Sequence, residues 1–395
     1  MTHPALTVLL PLTAVTALTI LVTPAVPAQS RSDLTSQIHD SVEAWRSRNN
    51  QPTGLAVGVY QRGTTIFSQG FGTTRLGSTD SVTARTIFHM ASVTKPFVAT
   101  AVMQLADRGK VDIDAAVIWY LPYFKMNDPR AFSITVKQLL THTAGMPDVT
   151  DYRWERPEYD DGSLERYVRG LADSALVFAP GGGWQYSNIG FEVLADLIAK
   201  VSGEPFEEYM QRHILTPLAM KHSTLLMTDV DSANLARGHT RNSTGEAVLS
   251  SVYPYNRPHA ASSTLHSNLT DMLRWAAANL RKGELDGHRI LSTAAIDRMW
   301  TMAYDRTSEF TERARQAGRS MRYASIGQGL GWRVFTLEGQ DLVNHSGGDT
   351  GFRSDVLLWP ADSSAVVVMM NDETGAPGEL SQIIYSILLA AAGRP

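Results

Sequence analysis

Strand-like text lies at both ends of this chain, and helix-like text fills the middle. Residues 54–60 and 64–69 read as two strands with Arg62-Gly63 as the turn between them. Residues 341–344, 354–359 and 364–370 read as strands near the other end, the last rich in valine. From the first serine-lysine helix to about residue 280 the pattern is mainly helical, with long polar loops. Strands so far apart in sequence share a sheet only if the two ends of the chain meet. That expectation is an α+β fold: a mixed part built from both termini, with a helical part inserted over about 110–290. Helices are expected over 191–201, amphipathic and closed by Gly203, over 272–280, and over the apolar stretch 380–392.

Composition narrows the function. The 395 residues carry a formal charge of −4, which does not suggest nucleic-acid binding. There is no cysteine, so disulfides, thiol catalysis and cysteine metal sites are excluded. Residues 5–22 are mostly apolar or threonine, and Val26-Pro27-Ala28 fits a small-residue cleavage site. A signal peptide over 1–28 is expected, leaving 29–395 as a periplasmic or secreted chain with no stable membrane span.

The chemistry begins at His89-Met90-Ala91-Ser92-Val93-Thr94-Lys95-Pro96. Phe97, Val98, Ala101, Val102 and Leu105 recur at helical spacing, Pro96 fits a first turn, and Gly109 is a stop. Three residues apart on a helix, Ser92 and Lys95 would share a face, about 5–6 Å apart at Cβ. A serine hydroxyl is a poor nucleophile until a neighbouring base takes its proton, and an amine can do so. With only 7 lysines and 32 serines, composition alone yields about 0.6 such pairs by chance. Alone, the pair therefore reads better as an N-cap serine near an exposed helix lysine. Tyr186-Ser187-Asn188 and His345-Ser346-Gly347 follow downstream, once each. A tyrosine can relay a proton to a leaving group, and a strand edge can offer N–H groups to an oxyanion.

With these motifs in order, the chain resembles the penicillin-recognising serine hydrolases: DD-peptidases, class C β-lactamases, and related esterases and D-aminopeptidases. Gly109-Lys110-Val111-Asp112, Tyr120-Leu121-Pro122 and the run from Ile134 to Pro147 through Leu139-Leu140-Thr141-His142-Thr143 resemble the family's connecting text. Pro180-Gly181, Pro217-Leu218-Ala219-Met220 and Gly347-Gly348 to Gly351-Phe352 extend the likeness, from about Gly54 to the C-terminus. The family's fold would be an antiparallel sheet flanked by helices, with an all-helical region and the site between them.

The resemblance implies Ser92 as nucleophile, Lys95 and Tyr186 as proton-transfer groups with either as the base, and Asn188 bonding Lys95 or the substrate amide. His345, Ser346, Gly347 and Gly348 would bind substrate, with an oxyanion hole from the Ser92 and Gly348 N–H groups. His345 departs from the Lys-Thr-Gly of common β-lactamases, and a neutral histidine offers less fixed charge to a substrate carboxylate. A second departure is Ser262-Ser263-Thr264-Leu265, where relatives often carry Gly-Gly. His142, His213, His222, His239, His259 and His266 lack metal-ligand spacing, so neither cofactor nor metal is expected, and His142 reads as structural. A small-molecule or peptide substrate is expected: a D-amino-acid peptide, an ester or a β-lactam. A binding module that captures such molecules without turnover is the alternative.

Overall fold

The computed structural model describes residues 31–49 and 52–393, so the expected leader over 1–28 lies outside the described residues. Eight strands form one antiparallel sheet: β1 (Gly54–Gln61), β2 (Thr64–Gly72), β3 (Tyr304–Asp305), β4 (Tyr323–Gln328), β5 (Arg333–Leu337), β6 (Gln340–Asp349), β7 (Phe352–Trp359) and β8 (Ser364–Met370). Their order across the sheet is β2-β1-β8-β7-β6-β5-β4-β3. The two ends of the chain do meet: β1 pairs with β8 from Leu55 opposite Met370 to Gln61 opposite Ser364. Arg62 and Gly63 both take positive φ, as a tight two-residue hairpin turn requires.

The five longest helices are α1 (Arg31–Arg48), α2 (Thr94–Asp107), α3 (Asn188–Ser202), α4 (Leu269–Leu280) and α5 (Pro377–Ala391); α1, α4 and α5 lie on the sheet, while α2 and α3 pack on each other. On one face, Ile38, Val42 and Trp45 of α1 and Ile384 and Tyr385 of α5 pack with Val57, Val366 and Val368. On the other, Leu269 and Leu273 of α4 join Ala56, Val367 and Met369, and the same core continues into α2 and α3. β1 and β8 are thus buried on both faces, which is why they read as apolar runs rather than alternating strands.

The structure differs from the sequence reading in four places. α1 was not expected, although Leu34, Ile38, Val42 and Trp45 mark one helical face. β3, β4 and β5 were not expected either; Tyr-Ala-Ser-Ile-Gly-Gln has little strand propensity, and its pairing with β5 decides it. β6 runs well beyond 344 and carries His345-Ser346-Gly347 within it. Finally, α3 is not amphipathic along most of its length: every residue from Asn188 to Ile198 is buried, including Glu192 and Asp196. It runs through the middle of the helical layer, and Gly203 closes it in a left-handed conformation.

Candidate active site

Ser92 lies in a short 3₁₀ turn, Ala91–Val93, that leads directly into α2. No side chain caps either helix start, so the Ser92 hydroxyl is not consumed as a cap. The preceding Ala91 has φ +47, a conformation a Cβ resists, and such strain gathers where a side chain must be presented. Met90 anchors the turn on both sides: its N–H donates to the Leu265 carbonyl (2.8 Å) and its carbonyl accepts from Ser354 Oγ (2.7 Å).

Lys95, the second residue of α2 and one turn after Ser92, is fully buried. Its Nζ lies 2.9 Å from Ser92 Oγ and donates to the Ser262 carbonyl at 2.7 Å. The Tyr186 hydroxyl donates to the same Ser92 Oγ at 2.9 Å. Lys95, one turn along, and Tyr186, from a distant part of the sequence, thus converge on one oxygen. Burial pulls the Lys95 amine down to about 8, although the carboxylates of Glu192, Asp349 and Asp148 favour its charged form. Burial pushes the Tyr186 phenol up, against the opposing hydrogen bond to Ser92. At neutral pH, Tyr186 is therefore a proton donor and Lys95 is the more readily deprotonated of the two.

The structure brings His345 to this cluster. Burial first, then the charges of Lys95 and Arg333, push its imidazole down to about 3. Its Nδ1–H donates to the Ser346 carbonyl (2.8 Å), so the ring is neutral with Nε2 unprotonated. Gly347 lies directly against the nucleophile turn: a Cβ there would come 2.3 Å from the Met90 carbonyl and 2.4 Å from Ser354 Oγ. Gly347→Ala is expected to push β6 off that turn, with a loss of roughly 1–3 kcal/mol in stability as an overpacked core contact. Chemical denaturation measures that loss, and an unchanged midpoint would show that the contact is looser than described. Gly348 stands opposite Arg353 on the part of β6 beyond Asn344, where pairing with β5 has ended.

Two expected residues are placed differently. Ser346 alternates to the opposite face of β6 from His345, and its hydroxyl donates to Asp355 Oδ1 at 2.7 Å. Its side chain therefore does not join the cluster, leaving only its backbone there. Asn188 does not hold Lys95: its backbone N–H and side-chain amide both donate to Asp148 Oδ1, at 2.8 and 2.9 Å. The Ser262 carbonyl takes that holding role, from a short helix, Ala260–Ser263, at the segment where relatives often carry Gly-Gly.

His142, read from the sequence as structural, supports the site, and two carboxylates beside it, Glu192 and Asp148, were not singled out. The neutral His142, with φ +59, accepts from the Ser187 N–H and lies with its ring centroid 4.4 Å from that of Tyr186. Glu192 is one helical turn beyond Asn188, so helical spacing could have placed it on the same face. Asp148 directly follows the Thr-His-Thr-Ala-Gly-Met-Pro run. Beside the site, Asp148, Val149, Tyr167, Ile189 and His259 line part of a cavity of about 680 Å³. Among the described residues, no group of three or more His, Cys, Asp or Glu is placed to hold a metal ion.

This sheet, the helical layer beside it and the motifs between them define a penicillin-recognising serine hydrolase fold of the β-lactamase/transpeptidase type. The chain belongs to the beta-lactamase family, whose model matches residues 40–391. Protein flp of Staphylococcus aureus strain MW2 is 26% identical over 348 residues, covering 86% of this chain. The chain spans only 64% of that relative's length. Penicillin-binding protein 4 of Amycolatopsis lactamdurans is 25% identical over 341 residues, with 83% of each chain covered. Among solved structures, the octameric penicillin-binding protein homologue from Pyrococcus abyssi superposes with a TM-score of 0.77 at 23% identity. That likeness covers 91% of this chain and 77% of the homologue, and it concerns the fold.

Proposed function

We propose that this protein is a secreted or periplasmic serine hydrolase that forms an acyl-enzyme at Ser92 and prefers uncharged ester or amide substrates. One observation carries the reading: Lys95 Nζ and Tyr186 Oη each lie 2.9 Å from Ser92 Oγ. Neutral Lys95 accepts the Ser92 proton as Oγ attacks the carbonyl carbon. The N–H groups of Ser92 and Gly348 are assigned to the resulting oxyanion. Tyr186 gives its proton to the departing oxygen or nitrogen, and the proton held on Lys95 restores it. Water then releases the acyl group by the same path.

The charge distribution supports the substrate preference. A neutral His345 faces a site in which Asp148, Glu192 and Asp349 all act on Lys95. Two fixed cations stand nearby: Arg333 donates to Asn344, and Arg353, opposite Gly348, donates to the Asp349 carbonyl. With His345 neutral, a substrate carboxylate meets no cation at the position where Lys-Thr-Gly would supply one. The relative named a penicillin-binding protein keeps penicillin among the compounds to test.

The test is an intact-mass time course with a p-nitrophenyl ester and with a penicillin. Ester turnover with little penicillin consumption is expected. A long-lived penicillin adduct would replace this reading with a slowly deacylating penicillin-binding protein. The pH profile adds a second check. Only neutral Lys95 accepts a proton, so with a pKa of about 8 activity rises with pH through that value. Below pH 7, kcat/KM is expected to fall about tenfold per unit. A flat profile between pH 6 and 9 would remove Lys95 as the base.

A further inference from the structure

The oxyanion hole assigned above has two halves on different elements, and the described hydrogen bonds raise the question of what holds them in register. The first half is the Ser92 turn. The second is the end of β6, where the chain is supported by β7 on one edge only, because the β5 pairing stops at Asn344. A strand end held on one edge is free to shift by fractions of an ångström, and oxyanion donors must sit within a narrow distance range.

Besides the Ser354–Met90 hydrogen bond behind Gly347, one buried side-chain pair joins the two halves beyond the glycines. His89 is three residues before Ser92, at the end of a short ribbon in which Ile87–His89 pairs with His266–Asn268. Asp349 follows Gly348 and is the last residue of β6. His89 Nε2 lies 2.7 Å from Asp349 Oδ2, with side chains 0% and 10% exposed. His89 Nδ1 has no partner among the described residues, so its ring is committed to Asp349 alone. His266, Tyr253 and Phe352 surround it with ring centroids at 5.5, 6.1 and 5.6 Å and fix its orientation. The pair thus ties a residue just ahead of the nucleophile to the residue just after the second N–H donor.

We infer that His89 and Asp349 are positioning residues, a clamp that sets the distance between the Ser92 and Gly348 N–H groups. This rests on the acyl-enzyme reading. Its consequence is selective: loosening the clamp weakens the transition state while ground-state binding in the neighbouring cavity is kept.

The experiment compares His89→Leu, Asp349→Leu and two conservative variants, His89→Gln and Asp349→Asn. Asp349→Asn keeps an oxygen that can accept from His89 Nε2–H but removes a charge that acts on Lys95, so it separates the tie from the charge. The readouts are kcat and KM for a p-nitrophenyl ester and the affinity of an aryl boronic acid. In the boronate complex, Ser92 Oγ bonds to boron, its proton passes to Lys95, and the tetrahedral anion occupies the oxyanion hole. Both leucine variants are expected to lose roughly 10²–10³ in kcat and similarly in boronate affinity, with KM within about threefold. The conservative variants are expected to stay within about tenfold of the parent. Leucine variants that keep parental boronate affinity would overturn the clamp. So would a loss in Asp349→Asn equal to that in Asp349→Leu, since charge would then be the cause. If a leucine variant does not fold, the two conservative variants carry the comparison: a loss approaching 10² in both would overturn it. Failure of the underlying reading looks different: the parent would bind no boronate, and Ser92→Ala would still turn over.

Discussion

Ser92→Ala is expected to lower kcat by about 10⁶, as loss of the nucleophile does in other serine hydrolases. The substitution removes a single oxygen, the one on which Lys95 and Tyr186 converge. No other hydroxyl takes its place, because Ser262 contributes its carbonyl and donates its own hydroxyl to the His259 carbonyl. The fold is expected to survive, since the Ser92 hydroxyl caps neither helix start. Steady-state kinetics, with a folding control by circular dichroism, measures the effect. Parental rates in a folded variant would end the serine-hydrolase reading.

Lys95→Met is expected to be nearly as severe, because nucleophile and base act as one unit and their losses are not additive. A double variant with Ser92→Ala should therefore be little worse than either alone. Raising the pH should not rescue Lys95→Met, since no amine remains to titrate. Tyr186→Phe should cost less, about 10²–10⁴, and most with poor leaving groups, which need its proton. Lys95 also leaves a signature in stability. Its folded pKa of about 8 lies below the ordinary 10.5, so the unfolded chain binds its proton more tightly. Stability from this group therefore rises with pH between about 8 and 10.5, by roughly 3 kcal/mol in all. Lys95→Met should lack that rise, and denaturant titrations at pH 7 and pH 10 measure the difference. An equal rise in both proteins would show that the amine is better solvated than its burial implies.

Much of the fold was legible because local patterns record which faces are buried. The valine run of β8 and the apolar β1 read as strands, and Gly63, Gly109 and Gly203 marked the ends of elements. β4 was not legible because its pairing with β5, not its own residues, makes it a strand. α3 was misread as amphipathic because Glu192 and Asp196 suggest a wet face. Asp196 in fact accepts a hydrogen bond from the Tyr123 hydroxyl at 2.7 Å in the interior.

In the site the same division holds. Sequence alone determined which residue types were present and in what order: a serine three residues before a lysine, then Tyr-Ser-Asn, then His-Ser-Gly. It also determined that Ser92 and Lys95 would share a helix face, because that spacing is a local property of the backbone. Only the tertiary structure decided that Lys95 is held by the Ser262 carbonyl rather than by Asn188, and that the Ser346 hydroxyl turns away to Asp355. The same holds for the charge states, since burial, which no single segment encodes, lowers Lys95 and keeps His345 neutral. Hydrogen-bond partners and desolvation depend on atoms brought together from segments far apart in the chain, and those distances exist only once the two ends have met in one sheet.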